Sequence, residues 1–133
     1  MLYHKRESDP FRTSIACLLE LDMYDVPDFA DINGGSDPEV FDHAIRQWLL
    51  YHDLRLVKII CNLSLEDVLK DMEKYNPGVE YILAGKGKND FVNCVCCKGG
   101  QIAHDVNLNN ISVVAPDSRN YYTLLFFSPI ITK

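Results

Sequence analysis

Three of the chain's five cysteines crowd together as Cys94, Cys96 and Cys97, and His104 follows shortly after. Thiol and imidazole are the pair that bind zinc and the pair that run cysteine hydrolases, so chemistry is sought here first. The metal reading fails on spacing. Zinc sites draw ligands from C-x2-C knuckles, and there is none; alternation along a strand puts Cys94 and Cys96 on one face and Cys97 on the other. No metal site is therefore expected, and cysteine in a strand serves well as a small apolar side chain. Gly85-Lys86-Gly87-Lys88 has glycines and lysines but not the spacing of a phosphate loop, and a strand rather than a helix follows it. It is read as a β-turn, and no cofactor is expected.

A third arrangement is of the papain type. It needs a thiolate at a helix N-terminus, a histidine on a facing strand and an Asn or Asp on the next strand to orient the imidazole. The layout exists: a capped helix over residues 9–21, a strand over 91–97, and Asp105 at the end of a neighbouring strand. A two-residue Gly99-Gly100 turn would pair Cys94 with Asp105 and set His104 opposite Val95. A three-residue Lys98-Gly99-Gly100 loop would pair Asn93 with Asp105 instead. In either register the residue facing Asp105 is not histidine.

The elements that must position these residues follow from the pattern. Asp9-Pro10 opens the first helix, Asp as N-cap and Pro at the first position, where its missing N–H costs nothing. Phe11, Ile15, Leu18 and Leu19 give it one apolar face, and Cys17 beside that face is read as packing. A connector follows, with one helical turn expected near Pro27-Asp28-Phe29-Ala30. Ser36-Asp37-Pro38 starts a second helix carrying Phe41, Ile45, Trp48 and Leu49 inward, with Trp48 expected near the core centre; His43 and His52 are read as solvated. Leu54–Cys61 reads as a strand. Ser64 to Asp67 opens a third helix with Leu65, Val68, Leu69 and Met72 inward, stopped at Asn76-Pro77-Gly78. Strands are expected over 79–84 and 91–97, then a Gly-Gly hairpin return to His104-Asp105, then 111–114 and 121–127. Helices first and hairpin-linked strands afterwards make an α+β domain with helices packed on an antiparallel sheet.

At 133 residues, 47% hydrophobic and 24% charged, the chain is one ordinary globular domain. No apolar run reaches the ~20 residues of a membrane span, so no membrane partner is expected. MLYHKRESDP lacks the apolar core of a signal peptide, which places the protein in the cytoplasm. An odd cysteine number fits free thiols in a reducing compartment, where the Asn62-Leu63-Ser64 sequon stays unglycosylated. A net charge of −6 without a basic stripe excludes ordinary nucleic-acid binding.

The sequence resembles the small papain-like cysteine-peptidase-fold proteins common in bacteriophage and bacterial genomes. Their helix opens Gly-Asp-Cys-Phe/Leu-Arg-x-x-Ile-Ala-Ser-Leu-Leu-Glu-Leu before a Val-Pro-x-Phe connector. Here the stretch reads Ser8-Asp9-Pro10-Phe11-Arg12-Thr13-Ser14-Ile15-Ala16-Cys17-Leu18-Leu19-Glu20-Leu21, with Val26-Pro27-Asp28-Phe29 after it. Asn76-Pro77-Gly78-Val79-Glu80-Tyr81-Ile82-Leu83-Ala84-Gly85 and Ile102-Ala103-His104-Asp105-Val106 match the family's Asn-Pro-Gly-x-Tyr-Tyr-Ile-Leu-x-Gly and Ile-Val-His-Asp-Pro. The resemblance covers nearly the whole of residues 1–133 and implies a single papain-like domain. The departures fall on the chemistry. Pro10 stands at the nucleophile position, Asn93 (or Cys94, one residue on) at the histidine position, and Asp105 alone keeps its identity. Proline removes the thiol and also the backbone N–H that serves the oxyanion in papain-like sites.

The resemblance thus implies a pseudoenzyme that binds a protein partner, such as a phage protein engaging a host factor in the host-cell cytoplasm. Its surface would be the old cleft, with Asp9 and Asp105, or the aromatic stretch beginning Tyr121-Tyr122. The alternatives are an active cysteine hydrolase with a relocated pair, Cys94 or Cys97 with His104, and a structural subunit associating through its last strand.

Overall fold

Asp9 starts the molecule's first element as its sequence dictates. A computed structural model describes residues 1–5, 9–29 and 38–131. In it, α1 (Pro10–Leu19) is capped by the Asp9 carboxylate, which accepts the Arg12 N–H at 3.2 Å. Glu20 ends the helix in the left-handed conformation, at φ 56°. Ile15, Ala16 and Cys17 are fully buried, and so are Thr13 and Ser14, so α1 buries polar as well as apolar positions. A 3-10 turn at Met23–Asp25 is capped by Asp22. The helical turn expected at 27–30 runs into Ala30, and the second helix's expected cap is Ser36-Asp37; all three residues lie outside the described residues.

The second helix, α2 (Pro38–Tyr51), buries Ile45 and Leu49. Trp48 is not at the core centre. It is half-buried at the rim, its ring 5.9 Å from Phe29 and 4.4 Å from the exposed His52, because the smaller Ile45 and Leu49 occupy the face toward the sheet. The third helix, α3 (Leu65–Tyr75), is capped by the Ser64 hydroxyl and buries Val68 and Met72, while Leu65 and Leu69 stay half-buried. No helix among the described residues is long and apolar enough to cross a membrane.

Five strands, β1 (Leu54–Cys61), β2 (Glu80–Lys86), β3 (Val92–Lys98), β4 (Gln101–His104) and β5 (Tyr122–Pro129), form one antiparallel sheet in the order β1-β5-β2-β3-β4. The fold is α+β. On one face, Ile15 of α1 and Ile45 and Leu49 of α2 pack with Leu56, Ile82, Cys94 and Leu125. On the other, Val68 and Met72 of α3 pack with Tyr81, Leu83, Val95, Cys97, Tyr122 and Leu124. Each fully buried aliphatic side chain contributes about 1.5–3 kcal/mol, which holds both helix layers to the sheet.

Four expectations need correction. The β2–β3 turn lies at residues 87–91 rather than 85–88: the Gly87 N–H donates to the Phe91 carbonyl at 2.8 Å, while Gly85 and Lys86 belong to β2. Gly85 pairs with Asn93 in the ladder, and glycine suits the position because a Cβ there would stand 2.7 Å from the Ala115 carbonyl oxygen. Residues 111–114 form no strand. Asn109, Asn110 and Ser112 all have φ between 54° and 64°, which bends the segment into turns; only Ala115 bridges to Lys86. The β3–β4 turn is the two-residue Gly99-Gly100, with Lys98 paired to Gln101. A bulge then shifts the register, so Cys96 rather than Val95 lies opposite His104. Finally, β5 is not available for edge-to-edge association, since β1 and β2 flank it.

Candidate functional site at the start of the first helix

Alternation decides which residues of β3 meet α1. Cys94 and Cys96 point to the α1 face, and Val95 and Cys97 to the α3 face. Asn93 therefore turns away from α1. Its amide closes the β2–β3 turn, donating to Asn89 Oδ1 at 2.9 Å and to the Phe91 carbonyl at 3.1 Å. Of the two residues expected opposite Asp105, it is Cys94 that faces the helix; Asn93 is a β3 residue, paired with Gly85, whose side chain braces the β2–β3 turn.

Around Cys94 the molecule assembles a polar set. The Cys94 sulfur lies 3.6 Å from the Ser14 hydroxyl. Asn107, which is buried, donates from its amide to the Cys94 carbonyl at 3.0 Å and to Asp105 Oδ1 at 2.8 Å. The same Asp105 oxygen accepts the Asn107 backbone N–H at 3.0 Å, an Asx turn that fixes the carboxylate. Burial pushes the Cys94 thiol up to about 12; Ser14 opposes this, and the carboxylates of Asp9 and Asp105 add to it. Both carboxylates thus act on the same buried sulfur. Asp9, Asp105 and Cys94 come together, while Pro10, half-buried beside Asp9, supplies neither thiol nor N–H.

No nucleophile is poised there. Cys97 faces α3, and burial pushes its thiol up to about 12 as well, so neither thiol ionises appreciably near neutral pH. His104 is committed elsewhere: its Nε2 donates to the His4 carbonyl at 2.8 Å, and its ring meets Tyr3 edge-on at 5.4 Å. The expected partnerships of His104 with Cys94 or Cys97 are not assembled. Among the described residues no group of three or more His, Cys, Asp and Glu side chains is arranged to hold a metal ion.

On the surface beside Asp9, Phe11, Arg12, Phe29 and Phe41 line a small cleft of about 80 Å³. The Phe11 and Phe41 rings stand 5.6 Å apart, and Arg12 Nε donates to the Val26 carbonyl at 2.6 Å, tying the connector to the helix. A wider hollow of about 290 Å³ opens on the other side of Arg12, between His4, Lys5 and the Asp22-Met23-Tyr24 turn.

The aromatic stretch divides. Tyr121 is exposed, with the Arg119 guanidinium 6.0 Å from its ring centre. Tyr122 is 3% exposed and fills the α3-side core, so it cannot be a surface contact: the strand's alternation turns it inward. The residues missed from sequence are Ser14, Asn107 and the Cys17–Cys96 contact. Asp-x-Asn at 105–107 was a readable Asx-turn signal; the other two arise only from docking α1 on β3. Against family models, curated proteins and solved structures, the chain finds no match.

Proposed function

We propose that this chain is a catalytically inactive protein of the papain-like cysteine-peptidase fold that works as a protein-binding module. Its recognition surface is the start of α1, with Asp9, Asp105 and the cleft between Phe11 and Phe41, floored by the buried Phe29. The observation that carries the reading is Pro10: a helix start facing Cys94 and a clamped Asp105, with a residue that has neither thiol nor N–H where an attacking group would stand. The Asp9 carboxylate in an aromatic-lined cleft suits a partner presenting a basic side chain next to an apolar one. A phage protein engaging a host factor fits this description.

The test is affinity capture from bacterial lysate, using the full chain and an Asp9→Asn/Asp105→Asn bait. Asn caps a helix as well as Asp does, so the Asp9 change removes charge without removing the cap. Capture by the unchanged bait alone supports the reading. Equal capture by both moves the interface off the helix start, and capture by neither overturns the binding module. Rapid stoichiometric alkylation of Cys94 or Cys97 at neutral pH would instead restore a hydrolase.

The second reading, a structural subunit, draws on one observation. β1 is an edge strand with Val57, Ile59 and Ile60 exposed, an arrangement that invites pairing with another chain. Concentration-dependent mass in sedimentation separates it from a monomeric binder.

A further inference from the structure

Two thiols lie outside the proposed recognition surface. Cys17, in the last turn of α1, and Cys96, in the middle of β3, are both fully buried, and with Val106 they form a cluster separate from the two main cores. The Cys96 thiol donates to the Ser14 carbonyl oxygen at 3.8 Å, one turn of α1 before Cys17, and the two sulfurs perturb each other's ionisation. Residues 1–5 form the lid. Met1 packs on the cluster, and the Leu2 N–H donates to the Cys17 carbonyl at 2.9 Å. The His4 ring bonds the Leu21 carbonyl, and His104 donates to the His4 carbonyl. This strap belongs to none of the five strands, so it can lift without breaking the sheet.

We propose that Cys17 and Cys96 are an oxidisable dithiol, converted by a hydroperoxide into a disulfide that ties α1 to β3, with residues 1–5 as the strap that gates access. The Cys17 sulfur attacks one peroxide oxygen: an S–O bond forms, the O–O bond breaks, and with hydrogen peroxide one water leaves. The Cys96 sulfur then attacks the Cys17 sulfenic acid; S–S forms, S–O breaks, and the Cys96 proton leaves with the hydroxyl as a second water. The two sulfurs lose two electrons and the peroxide gains them. Cys17 goes first because neighbouring Cys96, His4 and His104 make it the easier thiol to ionise, while Cys17 makes Cys96 the harder. Cys94 and Cys97 lack a thiol partner of this kind: Cys94 meets the Ser14 hydroxyl and Cys97 the Tyr81 hydroxyl.

The experiment treats the full chain with graded hydrogen peroxide and maps peptides by mass spectrometry without reduction. The expected product has lost two hydrogens, joins the Cys17 peptide to the Cys96 peptide, and reverts with dithiothreitol. A cross-link between other cysteines, or Cys17 oxidised to sulfinic acid without a cross-link, overturns the dithiol. Leu2→Pro, which removes the N–H that holds the strap to the Cys17 carbonyl, should speed cross-linking by about tenfold; an unchanged rate overturns the strap. In Cys96→Ser, a sulfenic-acid probe such as dimedone should label Cys17, and its failure to do so overturns the order of attack. The mapping of the unchanged chain stands even where a variant fails to fold.

Discussion

β1 and β3 are built from the same kinds of residue and live in different surroundings. In β3 every side chain from position 93 to 97 is buried, because α1 covers one face and α3 the other. In β1 only Leu56 is buried, and Val57, Ile59 and Ile60 are 42%, 46% and 52% exposed. Apolar composition does not separate the two strands. Position in the sheet does: β3 is flanked by β2 and β4 beneath two helices, and β1 is an edge. The buried strand is where ionisation and packing are tightly constrained, and the exposed edge is where contact with another molecule is open.

The largest expected effect is alkaline lability centred on β3. Cys94 and Cys97 are both raised from 9.0 to about 12 in the folded protein. The folded protein then keeps protons that the unfolded chain releases above pH 9, so these two thiols lower stability as pH rises from 9 to 12. Each of the two contributes about 1.36 kcal/mol per pH unit to the slope, and Cys96, raised with them, adds to the fall. Tyr81, also pushed up by burial, steepens the fall above pH 10. Urea unfolding at pH 8, 9.5 and 10.5 measures the slope; Cys97→Ala should take about 1 kcal/mol per pH unit off it between 9 and 10, and an unchanged slope would mean Cys97 is not buried as described.

A smaller effect is expected at the far end of the same buried layer. The Tyr81 hydroxyl donates to the Gly99 carbonyl at 2.7 Å within the α3-side core. Tyr81→Phe should cost about 1–2 kcal/mol at pH 7, read as a lower denaturation midpoint with unchanged m-value. The smallest effect belongs to β1. Ile59→Thr should change stability by no more than about 0.5 kcal/mol. A loss above about 2 kcal/mol would show that the β1 face is covered in solution, and would erase the contrast between the two strands.

Much of this was readable locally. Leu54–Cys61 has the bounds its alternation predicts, the Asp9 and Ser64 caps open their helices, and Gly99-Gly100 makes the two-residue turn. The failures share a cause. The bulge between Cys96 and Cys97 leaves no residue-type signature, so His104 moved by one position unannounced. Ile111-Ser112-Val113-Val114 carries strand-forming types, yet left-handed Asn109, Asn110 and Ser112 override them. Tyr122 looked like a surface aromatic because its burial depends on α3 and β1, elements distant in sequence. The helix start at Asp9-Pro10 was legible from its own residues; the pairing of Cys17 with Cys96 was not, since no local pattern relates positions on separate elements.

The position of β5 has a consequence in time. β1 and β2 are joined in sequence by α3 but are not neighbours in the sheet; both hydrogen-bond to β5, whose Pro129 pairs with Leu54 across 129 − 54 = 75 positions. Within the sheet β5 is the strand that hydrogen-bonds β1 to the β2–β3–β4 meander, and β1 and β2 have no pairing with each other. The meander closes over short turns and pays little entropy; the joining step must close a long loop before any of its hydrogen bonds are made. Loop closure therefore predicts that the β2–β4 unit pairs before β5 docks, an order that high φ-values in β2–β4 and low ones in β5 would bear out.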